Sequence, residues 1–186
     1  MSMRLTVRCS VVVFVFLSLT GCAGLGSKST IYDQQTLQRV RSVCLAPVSV
    51  SFKGSPMNRE VRASLYDLLK GELDSRNLFL LVTPDNLRIG NPPEGAGQAR
   101  IYGTTYAADA VLYASLRYFL NVIDPVVNAE MTLTLIETET GKTIASSSHN
   151  TQWGNSYIVY PKREIVTSDA VKGAVAALEK VLKRQD

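Results

Sequence analysis

Hydrophobic and polar positions along this chain alternate between two periods, one suited to strands and one to helices. Apolar residues dominate Val40 to Val50, with Pro47 inside the run, which predicts a strand whose later part lies at an edge or a bulge. After a loop containing Gly54 and Pro56, Val61, Leu65, Leu68, Leu69 and Leu73 fall at helical spacing. Asn58 is placed to cap that helix, which runs to about Arg76. Its opposite face, with Arg59, Arg62, Asp67, Lys70 and Asp74, reads as solvated charge. Leu78 to Val82 predicts a short buried strand, stopped by Thr83-Pro84. Gly90 to Gly97, with Pro92 and Pro93, reads as a loop, and Ala99 to Tyr106 as a short helix.

The second half reads as a meander. Asp109 to Ile123 is a long strand broken by Asp124-Pro125. Val126 to Thr138 pairs with it, placing Met131, Leu133 and Leu135 on one face and Thr132 and Thr134 on the other. Glu139-Thr140-Gly141-Lys142 makes a hairpin turn, and Ile144 to Thr151 is the third strand. Ser168 opens a final helix whose inner face is Val171, Val175, Leu178, Val181 and Leu182. The predicted order is β-α-β-(α)-β-β-β-α, a single sheet packed by helices, hence an α+β domain over residues 37–186.

The N-terminal pattern is of another kind. Arg4 and Arg8 precede an apolar run from Val11 to Leu19, as in a secretory signal. That run is shorter than the roughly 20 apolar residues a bilayer span needs. Leu19-Thr20-Gly21-Cys22 then resembles the lipobox of bacterial lipoproteins. The resemblance implies that residues 1–21 are removed and that Cys22 carries a diacylglyceryl group on its thiol and an acyl group on its amine. An ordinary secretory cleavage site is the competing reading, but the cysteine directly after a compact apolar run favours the lipobox. Ala23 stands where an aspartate would mark inner-membrane retention, which implies the outer membrane, periplasmic face. Residues 22–36 are small and polar and read as a flexible tether.

Charge changes little in this picture. The formal net charge of +4 falls to +2 once Arg4 and Arg8 leave with the signal, and no basic run points to nucleic acid. Of three cysteines, Cys9 leaves with the signal and Cys22 takes the lipid. Cys44, alone in an apolar strand, reads as a packed thiol.

Candidate chemistry is sparse. Gly141-Lys142-Thr143 lacks the glycine a phosphate-binding loop requires five residues earlier, where Ile136 stands, and a strand follows it rather than a helix. Ser148 and His149 point to opposite faces of a strand; Ser147 shares a side with His149 but has no acidic orienter in the sequence. One histidine and one lone thiol make no metal-ligand pattern. No catalytic group, cofactor or metal is expected, and the chain reads as a non-enzyme.

The strand order, Leu78-Phe79-Leu80-Leu81-Val82 after the helix, and the Glu139-Thr140-Gly141-Lys142 turn resemble a group of lipoproteins. That group includes LpoB, PelC and the periplasmic part of CsgG, and shares a domain like the N-terminal one of TolB. In layout the chain is similar to PelC, with a short tether and a late aromatic segment. The resemblance implies an outer-membrane assembly component of an export system, acting in exopolysaccharide secretion as an oligomeric ring. A lipoprotein activator of a peptidoglycan synthase, as LpoB is, is the alternative; the long disordered arm of that type is absent. Gln152 to Arg163 places Trp153, Tyr157 and Tyr160 beside Lys162 and Arg163, a composition suited to a membrane or partner contact. The same aromatics would equally serve by folding back over an open sheet edge.

Overall fold

In the computed structural model, which describes residues 26–120, 127–153 and 163–183, one mixed sheet of eight strands carries four α-helices. In chain order these are β1 (Gly26–Ile31), α1 (Gln34–Leu37), β2 (Ser42–Leu45), β3 (Ser49–Phe52), β4 (Ser55–Pro56), α2 (Arg59–Arg76), β5 (Leu80–Val82), a 3-10 turn (Asp85–Ile89), α3 (Ala96–Thr105), β6 (Ala110–Leu120), β7 (Val127–Glu137), β8 (Thr143–Trp153) and α4 (Arg163–Lys183). The sheet runs β1-β8-β7-β6-β2-β5, with β3 beside β6 and β4 paired to β3. The pairs β1–β8, β8–β7 and β7–β6 are antiparallel, whereas β2 runs parallel to both β6 and β5 and β3 runs parallel to β6. The α+β class and the packed single sheet stand as read from the sequence.

The meander sets the core. Leu112 lies opposite Leu135, Ala114 opposite Leu133 and Leu116 opposite Met131, and all six are buried. This face carries α4 and α2. Ser147 Oγ donates to the Ala174 carbonyl at 2.9 Å, and the Tyr118 and Thr167 hydroxyls meet at 2.5 Å. The two helices are joined through Arg76, whose guanidinium reaches Glu72 on its own helix and Glu179 on α4. On the other face, α3 seats Gly103 against Val111 and Thr138, where an added Cβ would come within 2.1 Å of the Thr138 hydroxyl.

Helix α2 begins as the sequence indicates. The Asn58 side chain accepts from the Val61 N–H at 3.0 Å, satisfying one of the amides a helix start leaves free. It ends at Asn77, which adopts φ 50° and a left-handed cap.

Pro47 divides the apolar run into β2 and β3. Both pair with β6: Leu45 lies opposite Leu112 and Ser49 opposite Ser115, so four steps along one strand match three along the other. That surplus residue is the bulge the proline predicts, placed beside the central strand β6 and not at an edge.

Three expectations change. Gly26–Ile31, placed by its composition in the tether, forms β1 along β8. A strand of mostly exposed small polar side chains leaves little hydrophobic pattern; the free backbone groups on the edge of β8 supply the partner instead. Among the described residues, Leu80–Val82 pairs only with β2 and ends the sheet, and Leu80 is 71% exposed rather than buried. The last helix starts at Arg163, five residues before Ser168, and Val166, Ala170 and Ala174 extend its buried face, while Leu182 is only partly buried.

Leu133, fully buried at the middle of the meander, tests the core directly. Leu133→Ala is expected to lower unfolding free energy by about 2–5 kcal/mol, read from the midpoint of urea denaturation.

Candidate functional site

The register of the sheet brings one set of segments to a common end. Phe52, Tyr118, Ala129 and Thr151 form a single transverse row across β3, β6, β7 and β8. Gly26 of β1 pairs with Asn150 just inside that row, and Val127 pairs with Trp153 just beyond it. Helix α4 starts here too, since Thr167 on its first turns meets Tyr118. Strands β6 and β8 end here, and β7 begins here.

The sequence-selected residues fall as follows. Cys22, Tyr157, Tyr160 and Lys162 lie outside the described residues. Trp153 closes β8, and Arg163 opens α4 as an exposed residue. Backbone register thus places both ends of the aromatic segment at one end of the sheet. Cys22 precedes Gly26 by four residues, so the chain from a lipidated cysteine would enter the sheet at this same end.

A groove of about 460 Å³ opens between α2 and α4 beside Tyr118. Val61, Leu65 and Leu68 line it on one side; Arg163, Glu164 and Thr167 line the other. Thr167 Oγ1 donates to the Arg163 carbonyl at 2.7 Å, so the Tyr118 hydroxyl donates to Thr167. Burial pushes the Tyr118 phenol above its ordinary pKa, and Thr167 only partly opposes this.

At the opposite end, Thr36, Arg39, Asp109, Glu137, Thr138 and Glu139 surround a concave surface of about 340 Å³. Its best-placed carboxylate is already used. Asp109 accepts from the Ser42 and Arg41 amides, both at 2.9 Å, and these bonds hold it below the usual carboxylate range. Glu137 accepts from Thr140 within the β7–β8 turn, where Gly141 has φ 72°. Among the described residues, no three His, Cys, Asp or Glu side chains gather to hold a metal ion. Cys44 is fully buried, and desolvation pushes its thiol up to about 11, far from the thiolate a nucleophile needs.

Sequence reasoning missed one pair. His149 does not meet Ser147, which is buried and donates to α4. Its partner is Ser27 on β1, with Oγ at 2.8 Å from Nδ1, and the same hydroxyl lies 3.4 Å from the Gly173 carbonyl. The ring presses against Gly173, where an added Cβ would come within 2.3 Å of it. Neither groove described above includes this pair, and Ser27 sits on an exposed edge. The contact fastens β1 to β8 and α4. No local signal in the sequence joins residues 122 positions apart.

No protein-family model matches the chain, and no curated protein matches it. Solved structures do. The PelC dodecamer from Paraburkholderia phytofirmans superposes with a TM-score of 0.52 at 14% identity, over 82% of this chain and 96% of that one. A point variant of the same dodecamer gives 0.52 at 13% identity, over 83% and 97%. The C-terminal domain of LpoB from Escherichia coli gives 0.45 at 18% identity, over 63% and 93%. The likeness to PelC is one of fold.

The chain has a single histidine, so its titration can be read cleanly. Burial holds His149 below 6.5, with Asp169 opposing in part. A folded pKa below the unfolded one means stability is complete above pH 6.5 and is lost as pH falls from there through the folded value. Melting temperature is expected to fall as pH drops below about 6.5, and His149→Gln should remove that part of the slope. Differential scanning calorimetry across the window makes the comparison.

Proposed function

We propose that this chain is an outer-membrane lipoprotein, acylated at Cys22 and facing the periplasm, that assembles as a ring and serves an envelope export system without catalysis. Exopolysaccharide secretion is the export process that best suits the reading. The carrying observation is the fold. Over most of its length the chain follows a protein solved as a dodecamer, PelC, with 96% of that chain covered.

The sheet end supports the membrane part of the reading. Gly26, Trp153 and Arg163 share it, so the lipid and the aromatic segment approach the bilayer together. With β1 beginning at Gly26, four residues of chain separate it from Cys22, a reach of ~14 Å at most. So short a link holds the sheet end close to the headgroups. Trp153, Tyr157 and Tyr160 are then suited to the headgroup level and Lys162 and Arg163 to lipid phosphates or a partner.

Three outcomes are expected. Cys22→Ser should release the protein from membranes after a high-salt wash; a variant still fractionating with the outer membrane would overturn the anchor. Residues 23–186 should self-associate in analytical ultracentrifugation at high concentration, and a monomer there with no crosslinks in intact cells would overturn the ring. Trp153→Ala should leave the melting temperature of the domain unchanged and weaken secretion. A large fall in melting temperature would instead place Trp153 in a packing role, since truncating a core tryptophan costs ~3–5 kcal/mol.

A further inference from the structure

The hairpin joining β3 and β4 carries an aromatic and a cation that neither the sequence pattern nor the fold requires. Phe52 is 38% exposed, although it ends a strand whose Val50 is buried. The Lys53 ammonium lies over its ring, 5.7 Å from the centroid. Lys53 adopts φ 49° and Gly54 φ 83°, the two-residue turn that a tight hairpin demands. A lysine at positive φ is a costly occupant, where asparagine or glycine is the easy one. The strained position holds the cation against the aromatic and points to a role for that pair.

The hairpin sits at the sheet end described above. Phe52 lies in the row of Tyr118, Ala129 and Thr151, and the Lys53 N–H donates to the Tyr118 carbonyl at 3.2 Å. Gly26 enters the sheet at that level, four residues after Cys22. Lys53, Arg59 and Arg163 are exposed around it against Glu60 and Glu164, and Arg117 is neutralised by Glu130 at 2.7 Å. The balance is positive, which complements an anionic surface.

We infer that the Phe52–Lys53 hairpin is a second membrane contact, in which the ring enters the headgroup layer and the ammonium meets lipid phosphate. The inference rests on the anchored reading given above, because the length of chain between Cys22 and Gly26 sets how close the hairpin stands to the bilayer. A ring stacked under a cation is matched to that boundary, where one partner prefers the apolar side and the other the phosphates. Two contacts on separate strands, β3 and β8, fix the tilt of the sheet as one contact cannot.

The test uses the full lipidated chain in vesicles of phosphatidylethanolamine and phosphatidylglycerol carrying doxyl-labelled acyl chains. A fluorophore is placed through Ser55→Cys beside the hairpin tip and, separately, through Glu139→Cys at the opposite end of the sheet; Cys44 is buried and does not compete. Quenching at position 55 with none at 139 supports the inference. Equal quenching at both, or none at 55 in a chain that stays on the vesicles, overturns the hairpin contact and leaves the anchor standing. A chain that does not stay on the vesicles overturns the anchor, and the inference falls with it. Lys53→Gln in residues 23–186 provides an independent measure, with vesicle binding expected to weaken about fivefold for one lost basic group at an anionic surface. Unchanged binding would also count against the contact, and an unchanged melting temperature shows that the hairpin still folds.

Discussion

Everything in this domain hangs on the register of the β6–β7–β8 meander. Eleven pairs align β6 with β7, and the same alternation carries on into β8. Because side chains alternate with a period of two, a one-residue slip of β7 would turn Met131, Leu133 and Leu135 away from the face that packs α4 and α2. Each buried side chain of this size contributes on the order of 2 kcal/mol. The cost of a slip is therefore comparable to the whole stability of an ordinary domain. The Glu137–Lys142 turn closes one end of this register, and it is held by its own hydrogen bonds.

Given that frame, the helices have few places to go. The buried face of the meander accepts α4, and α4 in turn gives α2 its second wall through Arg76 and Glu179. The bulge at Pro47 lets β2 and β3 follow β6 on its far side without tearing the ladder. One sheet end then collects the start of α4, the β3–β4 turn and the entry of β1, and the opposite end gathers the β7–β8 turn and Asp109. The polarity of the domain, with chemistry-poor grooves and one end rich in aromatic and basic groups, is a result of this arrangement.

The meander and α2 were legible in the sequence because their apolar residues recur with a clear period and Asn58 and Pro47 punctuate them. Strand β1 was not legible. Its residues Gly26, Ser27, Lys28, Ser29 and Thr30 bury almost nothing, and what orders them is the unpaired edge of β8, more than a hundred positions away. The edge position of β5 was likewise hidden, because Leu80-Leu81-Val82 has the composition of a buried strand and only the strand order shows that nothing lies beyond it. The aromatic segment stands out in the sequence by composition, whereas the Phe52–Lys53 pair does not, since a single aromatic before a turn carries no pattern. Ser27 and His149 show the same limit: a contact across the fold has no local signature.

The direction of β1 bears on how load passes through the molecule. Its six pairs with β8 carry hydrogen bonds that lie across the strand axis. A pull on the chain at Gly26 along that axis strains all of them at once, as shear, rather than opening them singly from one end. The Ser27–His149 contact sits next to the loaded residue and stiffens the first of these pairs. A pull along the axis of β1 would thus be resisted by all six pairs together, although this edge of the sheet is exposed and sparsely packed.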